Sequence, residues 1–262
     1  MWPIQRKVNF PLFEITMEIL QRKLDDLVRR LQNSEEFRAQ LEDLKSVYPF
    51  SEFEYIISHL LAAHRLTLEE YYELRNDYIQ RNLYLYLFEI SAPRGFGEAW
   101  AQGHLKALVP SLQAPSKKLD PEYSGQYDFI LQPRIRIEVK ASRAVAFQTD
   151  EPLYIKALAS TSTTPFDMNF QQIKPACCDV FVWLAAWRDV VKCWVIPSHD
   201  VVNHPDYSKG QHRGNVWEGQ LHLNQGNIAA FDKYLCVSDR LEEAIRRAFD
   251  TEHRLRHPAT QP

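Results

Sequence analysis

Gly125-Gln126-Tyr127-Asp128-Phe129-Ile130-Leu131-Gln132-Pro133-Arg134-Ile135-Arg136-Ile137-Glu138-Val139-Lys140-Ala141-Ser142 is the stretch whose pairing decides the fold. Successive side chains of a strand point to opposite faces, so odd and even positions separate. The odd ones, Tyr127, Phe129, Leu131, Ile135, Ile137 and Val139, are apolar. The even ones are Asp128, Ile130, Gln132, Arg136, Glu138 and Lys140. Gln132-Pro133-Arg134 supplies a three-residue turn that keeps proline out of both ladders. Pairing around Pro133 sets Asp128 opposite Glu138, with Lys140 following on the same face. Two carboxylates and an ammonium then share one rigid surface while the reverse face enters a core. A slip of one residue would turn every side chain over. The plainer alternative is an amphipathic hairpin whose polar face is only solvated.

Outward from the hairpin, periodicity predicts mostly helix over residues 12–90. Leu20, Leu24, Leu27 and Leu31 form a short seam, either a dimer contact or the inner face of a bundle. Asn33 with Glu36, Ser51 with Glu54 and Thr67 with Glu70 stand at capping-box spacing, and Pro49 separates two helices. Ser91-Ala92-Pro93-Arg94-Gly95-Phe96-Gly97 breaks the pattern and predicts a domain boundary. Three regions follow: a helical part, 1–92; a core, 93–251; and a tail, 252–262. Within the core, a helix is expected from Glu98 to Leu108 and a Pro-punctuated loop up to Ser124. Asn169 to Lys174 reads as a short helix ended by Pro175. Asp179 to Trp187 is nearly continuous in apolar residues, as in a central strand buried on both faces. A strand from Val190 to Ile196, a helical turn at Ser198, a polar loop from Asn203 to Glu218, a strand from Gln220 to Leu223 and a helix from Asp239 to Phe249 complete the order. That order predicts an α/β fold, a mixed sheet with helices on both faces.

The 262 residues carry a net charge of −3, which neither advertises nor excludes nucleic acid, because a basic cleft can coexist with an acidic exterior. The longest apolar runs are too short to span a bilayer, and the first residues lack the apolar stretch of a secretory signal. Cys177, Cys178, Cys193 and Cys236 have no C-x-x-C spacing and read as reduced thiols of a cytosolic (cytoplasmic) protein. No G-x-S-x-G, H-E-x-x-H or phosphate-binding loop is present.

Asp128, Glu138 and Lys140 make the pattern D-x9-E-x-K, and this resembles the PD-(D/E)XK nucleases, the group that holds most type II restriction endonucleases. Tyr127 departs from the pattern where proline often stands. The resemblance covers roughly residues 95–245 and implies a restriction-endonuclease-like mixed β-sheet flanked by helices, with the N-terminal helical region outside it. It implies that Asp128 and Glu138 bind Mg2+ and that Lys140 orients or activates the attacking water. Magnesium prefers carboxylates and water, and a metal-bound water approaches hydroxide in reactivity. It also implies that Glu98, opening the helix before the hairpin, completes the metal site. The plainer role for Glu98 is to favour a helix N-terminus. Polar residues after the hairpin, here Gln172 and Lys174, are implied near the scissile phosphate. Ser142 and Arg143, just beyond the strand that carries Glu138 and Lys140, are themselves placed to touch the DNA backbone.

The loop from Tyr207 to Glu218 is long, polar and glycine-containing, which suits DNA contact better than structureless chain inside a compact domain. Arg213 matches guanine, and Gln211 and Asn215 match adenine, through paired hydrogen bonds in the major groove. Lys209 and His212 are suited to phosphates. The expectation is therefore a Mg2+-dependent, site-specific endonuclease acting on double-stranded DNA and leaving 5′-phosphates. Cutting both strands of a palindrome would fit a homodimer. A cognate methyltransferase would belong to the same system. The alternatives are a repair, resolvase or transposition nuclease, a non-catalytic DNA-binding module, and a small-molecule enzyme using the carboxylates as acid and base.

Overall fold

The structure, a computed structural model, describes residues 26, 29, 30, 49–90, 95–147, 149–210 and 217–256, with the side chains of 49–52, 98 and 255–256 left outside the description. Contacts divide the chain into two units, Met1–Tyr78 and Ile79–Pro262. The leucine seam and the Asn33–Glu36 box lie outside the described residues.

In the first unit, helix α1 (Pro49–Ala62) buries Phe53, Ile56, Ile57 and Leu60, the three- and four-residue spacing of one helix face. Pro49 is the first described residue of this helix. Helix α2 (Leu68–Arg81) begins with the expected capping box. The Glu70 backbone N–H donates to Thr67 Oγ1 at 3.1 Å, and the Thr67 backbone N–H donates to Glu70 Oε2 at 2.8 Å. Ser51 does not start a helix, because α1 begins two residues earlier.

The second unit begins before the break expected at 91–97. Leu85, Leu87 and Phe88, in a 3-10 turn, are buried with Phe96, Ala157 and Ala186. Its centre is a five-stranded mixed sheet of order β1-β2-β5-β6-β9. The strands are β1 (Phe129–Leu131), β2 (Ile135–Arg143), β5 (Val180–Ala186), β6 (Val191–Pro197) and β9 (Leu235–Cys236). A second, antiparallel sheet has the order β3-β4-β8-β7. Its strands are β3 (Val145–Ala146), β4 (Phe166–Ile173), β7 (Tyr207–Lys209) and β8 (Gly219–Asn224).

The apolar run of β5 behaves as a doubly covered strand should. Val180, Val182 and Leu184 enter one core with Ile135, Ile137 and Val139 of β2. Phe181, Trp183 and Ala185 enter a second core with Met168, Phe170, Leu221 and Leu223 of the other sheet. Parallel pairing of β2 with β5 is anchored at its start by buried Asp179, which accepts from the Arg136 backbone N–H at 2.9 Å and from its guanidinium at 2.9 and 3.2 Å.

On one face of the central sheet, α3 (Gln102–Leu108) and α5 (Leu241–Arg256) contribute Leu105, Leu241 and Ile245 to the first core. The opposite face is covered mainly by the second sheet, joined by Val201 of the helical turn Ser198–Val202 and Phe231 of the 3-10 segment Ile228–Tyr234, so the helices expected on both sides are present here only as short elements. Residues 169–173 belong to strand β4 and not to a helix, and Lys174 follows its end. Phe166, Met168 and Phe170 alternate, the period of a strand, and Met168 and Phe170 are buried by it. The short helix α4 (Ser198–Val202) follows β6 as expected. Among the described residues no helix is long and apolar enough to cross a membrane.

Candidate active site

Strands β1 and β2 pair antiparallel with Phe129 opposite Ile137 and Leu131 opposite Ile135, around the turn at Gln132-Pro133-Arg134. One step further along this register places Asp128 beside Glu138. The Asp128 backbone N–H donates to Ile137 O at 2.9 Å, and its carboxylate Oδ2 accepts from the Val139 backbone N–H at 2.7 Å. Glu138 is 6% exposed, and its Oε1 lies 2.6 Å from Lys140 Nζ. Burial raises the Glu138 pKa above the usual carboxylate range, and neighbouring Asp128 pushes the same way against the opposing pull of Lys140 and Lys174. Glu138 Oε2 is buried and meets no hydrogen-bond partner among the described residues. Tyr127 departs from the expected alternation: it packs in the second core with Ile130, and its hydroxyl donates to Asp120 Oδ2 at 2.7 Å. Asp128, Glu138 and Lys140 of the even face are thus not a solvated surface but the wall of a cleft.

That cleft, of about 960 Å³, is lined by Asp128, Glu138, Lys140, Ser142, Arg143, Gln102, Asn169, Gln171, Gln172 and Lys174, among others. Gly125, at φ +91°, lets the chain turn along its rim before Asp128. One wall comes from the chain that enters α3. Gly95–Ala101 is wound as a π-helix, a rare form found mostly as single turns and often at functional sites. Phe96, Gly97 and Gln102 of this segment line the cleft. Glu98 lies in the π-helical turn, and its side chain is outside the described residues. Gln102 was not singled out by sequence, yet its Nε2 donates to Asp128 Oδ1 at 2.7 Å.

The wall opposite comes from β4. Its register against β8 shifts between Phe170 and Ile173, so the bulged strand carries one residue more than its partner. Gln172 sits there at φ +54°, and both Gln171 and Gln172 line the cleft. Gln172 therefore reaches the site from a bulged strand, not from the expected helix. Lys174 lines it too, with Nζ held 3.3 Å from Glu218 Oε1.

The remaining expected contacts divide. Ser142 lines the cleft, at the far end of β2. Arg143 also borders it, but its NH1 donates to Leu87 O and Ile90 O, both at 2.8 Å, and its guanidinium lies 4.4 Å above the Phe96 ring. Lys209 is exposed on β7 and is not among the lining residues. Gln211, His212, Arg213 and Asn215 lie outside the described residues.

Compared with protein-family models and with curated proteins, the chain finds no match in either. The reading of the site therefore rests on its own chemistry. Among the described residues no group of three His, Cys, Asp or Glu side chains forms a metal cage. Mg2+ does not require one, since it is commonly held by one or two carboxylates and keeps several waters. Asp128 and Glu138 supply hard oxygen donors, and the unsatisfied, buried Oε2 of Glu138 is an acceptor that a cation would complete. The residues present fit such an ion.

Proposed function

We propose that this chain is a Mg2+-dependent endonuclease for double-stranded DNA, of the site-specific kind that type II restriction enzymes represent. The observation that carries the reading is Asp128, Glu138 and Lys140 together on one cleft wall, with Glu138 buried and one of its oxygens unsatisfied. Asp128 and Glu138 would hold the ion, and Glu98 would assist. Bound there, Mg2+ would lower the pKa of a water and offset charge gathering on the phosphate.

The protein's own groups supply the rest. Gln102 and the Val139 N–H fix the Asp128 carboxylate from two directions, so it need not reorganise during the reaction. Lys140 places a positive charge beside Glu138, suited to hold the attacking water and to stabilise phosphate charge. In the reaction, water oxygen bonds to phosphorus, the bond from phosphorus to the 3′ oxygen breaks, and that oxygen takes a proton. A 5′-phosphate and a 3′-hydroxyl result. Gln171 and Gln172 present amides from the opposite wall to the same substrate. Pairing of two chains into a homodimer would match cleavage of both strands.

Incubation with long duplex DNA, with Mg2+ or with EDTA, tests the proposal. The expected result is discrete fragments only with metal, and a loss of about 10³-fold or more in Asp128→Ala, since charge stabilisation of this kind is worth several kcal/mol. Ragged degradation would point to a repair-type nuclease. Absence of cleavage by the intact chain on varied duplexes would sink the catalytic reading.

A further inference from the structure

Asn169 was not predicted as a site residue, yet its Oδ1 is buried and meets no hydrogen-bond partner among the described residues. It lines the same cleft as Glu138, whose Oε2 is in the same condition. The two come from different sheets, Glu138 from β2 and Asn169 from β4. No other such oxygen of the described residues lines the cleft. A buried acceptor without a donor disfavours the folded chain, so two in one cleft call for a common explanation.

Both atoms are acceptors, so whatever satisfies them must donate or carry positive charge. The oxygens of a phosphodiester are acceptors too and cannot serve. A hydrated divalent cation meets both needs: the metal for the carboxylate, and water O–H groups for the amide oxygen. Mg2+ sheds its waters reluctantly, and a site of two carboxylates leaves several that need acceptors. We infer that Asn169 is a positioning residue whose side-chain oxygen accepts a hydrogen bond from a water of the divalent cation held by Asp128 and Glu138. This rests on the metal-dependent reading above. As a neutral acceptor, Asn169 orients that water without adding a third negative charge beside Asp128 and Glu138.

The test is Mn2+ binding by the full-length chain without DNA, followed by the electron paramagnetic resonance of free Mn2+. Wild type is compared with Asn169→Leu, Asn169→Asp and Asp128→Ala, and melting is recorded in EDTA. Asn169→Leu should weaken Mn2+ binding about 10-fold, the lower end for partners that act through a metal's bound groups. It should melt at least as high as wild type, because it removes an unsatisfied buried acceptor. Asn169→Asp, which keeps the acceptor, should bind Mn2+ at least as tightly as wild type. Wild-type affinity in Asn169→Leu, with binding lost in Asp128→Ala, would overturn this inference and leave the metal-dependent reading standing. No Mn2+ uptake by wild type would overturn both. If Asn169→Leu melts lower than wild type, Asn169→Asp decides: affinity kept or raised supports the role, and affinity lowered overturns it.

Discussion

Glu138 is held between burial, which disfavours its anion, and Lys140, which favours it; burial prevails, and its pKa stands above the ordinary value. A group whose pKa is raised on folding contributes stability that is complete below the unfolded pKa and is lost as pH rises through the folded one. In EDTA, therefore, Glu138→Gln should gain on wild type in melting temperature as pH rises through that window, scanned from about pH 4 to 8. A difference independent of pH would show that folding leaves the Glu138 pKa where it stands in the unfolded chain. Protons compete with cations for a carboxylate, so Mg2+ affinity should fall as pH drops through the same window. The meeting of Asp128, Glu138 and Lys140 was legible in sequence because all three lie within one hairpin whose turn sets the register. Gln102 and Asn169 were not. Their places depend on how α3 and β4 dock against that hairpin, which strand and helix periodicity do not encode.

At the scale of elements, Arg143 ties the end of β2 to the segment that leads into the π-helical turn. Replacing it with Met keeps an apolar stem over Phe96 but removes two charge-assisted bonds to carbonyls, at a cost of about 2–3 kcal/mol. Amide hydrogen exchange across residues 85–101 should quicken in Arg143→Met, and cleavage should fall with it. A variant of unchanged stability whose DNA binding weakened, with a salt slope shallower by about one, would instead make Arg143 a phosphate contact. In the first unit, Thr67→Ala should lower stability by about 1 kcal/mol through loss of the cap, read by denaturant unfolding. Thr67 was legible because its capping box is local. Strand β4 was missed for the opposite reason. The bulge at Gln171 and Gln172 breaks the alternation just before Ile173, so Asn169 to Lys174 reads as a short helix ended by Pro175 while Phe166, Met168 and Phe170 already keep strand period.

For the whole molecule, the cores that flank the central sheet and the cluster holding Leu85, Leu87 and Phe88 all lie beyond residue 78. A fragment of residues 79–262 should therefore melt cooperatively and bind Mn2+ as the full chain does, measured by circular dichroism and calorimetry. A fragment that aggregates or melts without cooperativity would show that residues 1–78 are needed to complete these cores. Sequence reading placed the break near Pro93, Gly95 and Gly97, where local turn signals are strongest, because the burial of residues 85–88 against Ala157 and Ala186 is long-range. The pairing of β2 with β5 is long-range as well: Ile137 meets Val180 and Arg143 meets Ala186, partners about forty residues apart. During synthesis the hairpin leaves the ribosome well before the strand that will lie beside it. Until residues 180–186 follow, β2 presents an open row of backbone donors and acceptors to any neighbouring chain. The strand bearing Glu138 and Lys140 thus depends on a partner made later in the chain, and a nascent or stalled chain leaves that edge open to mispairing.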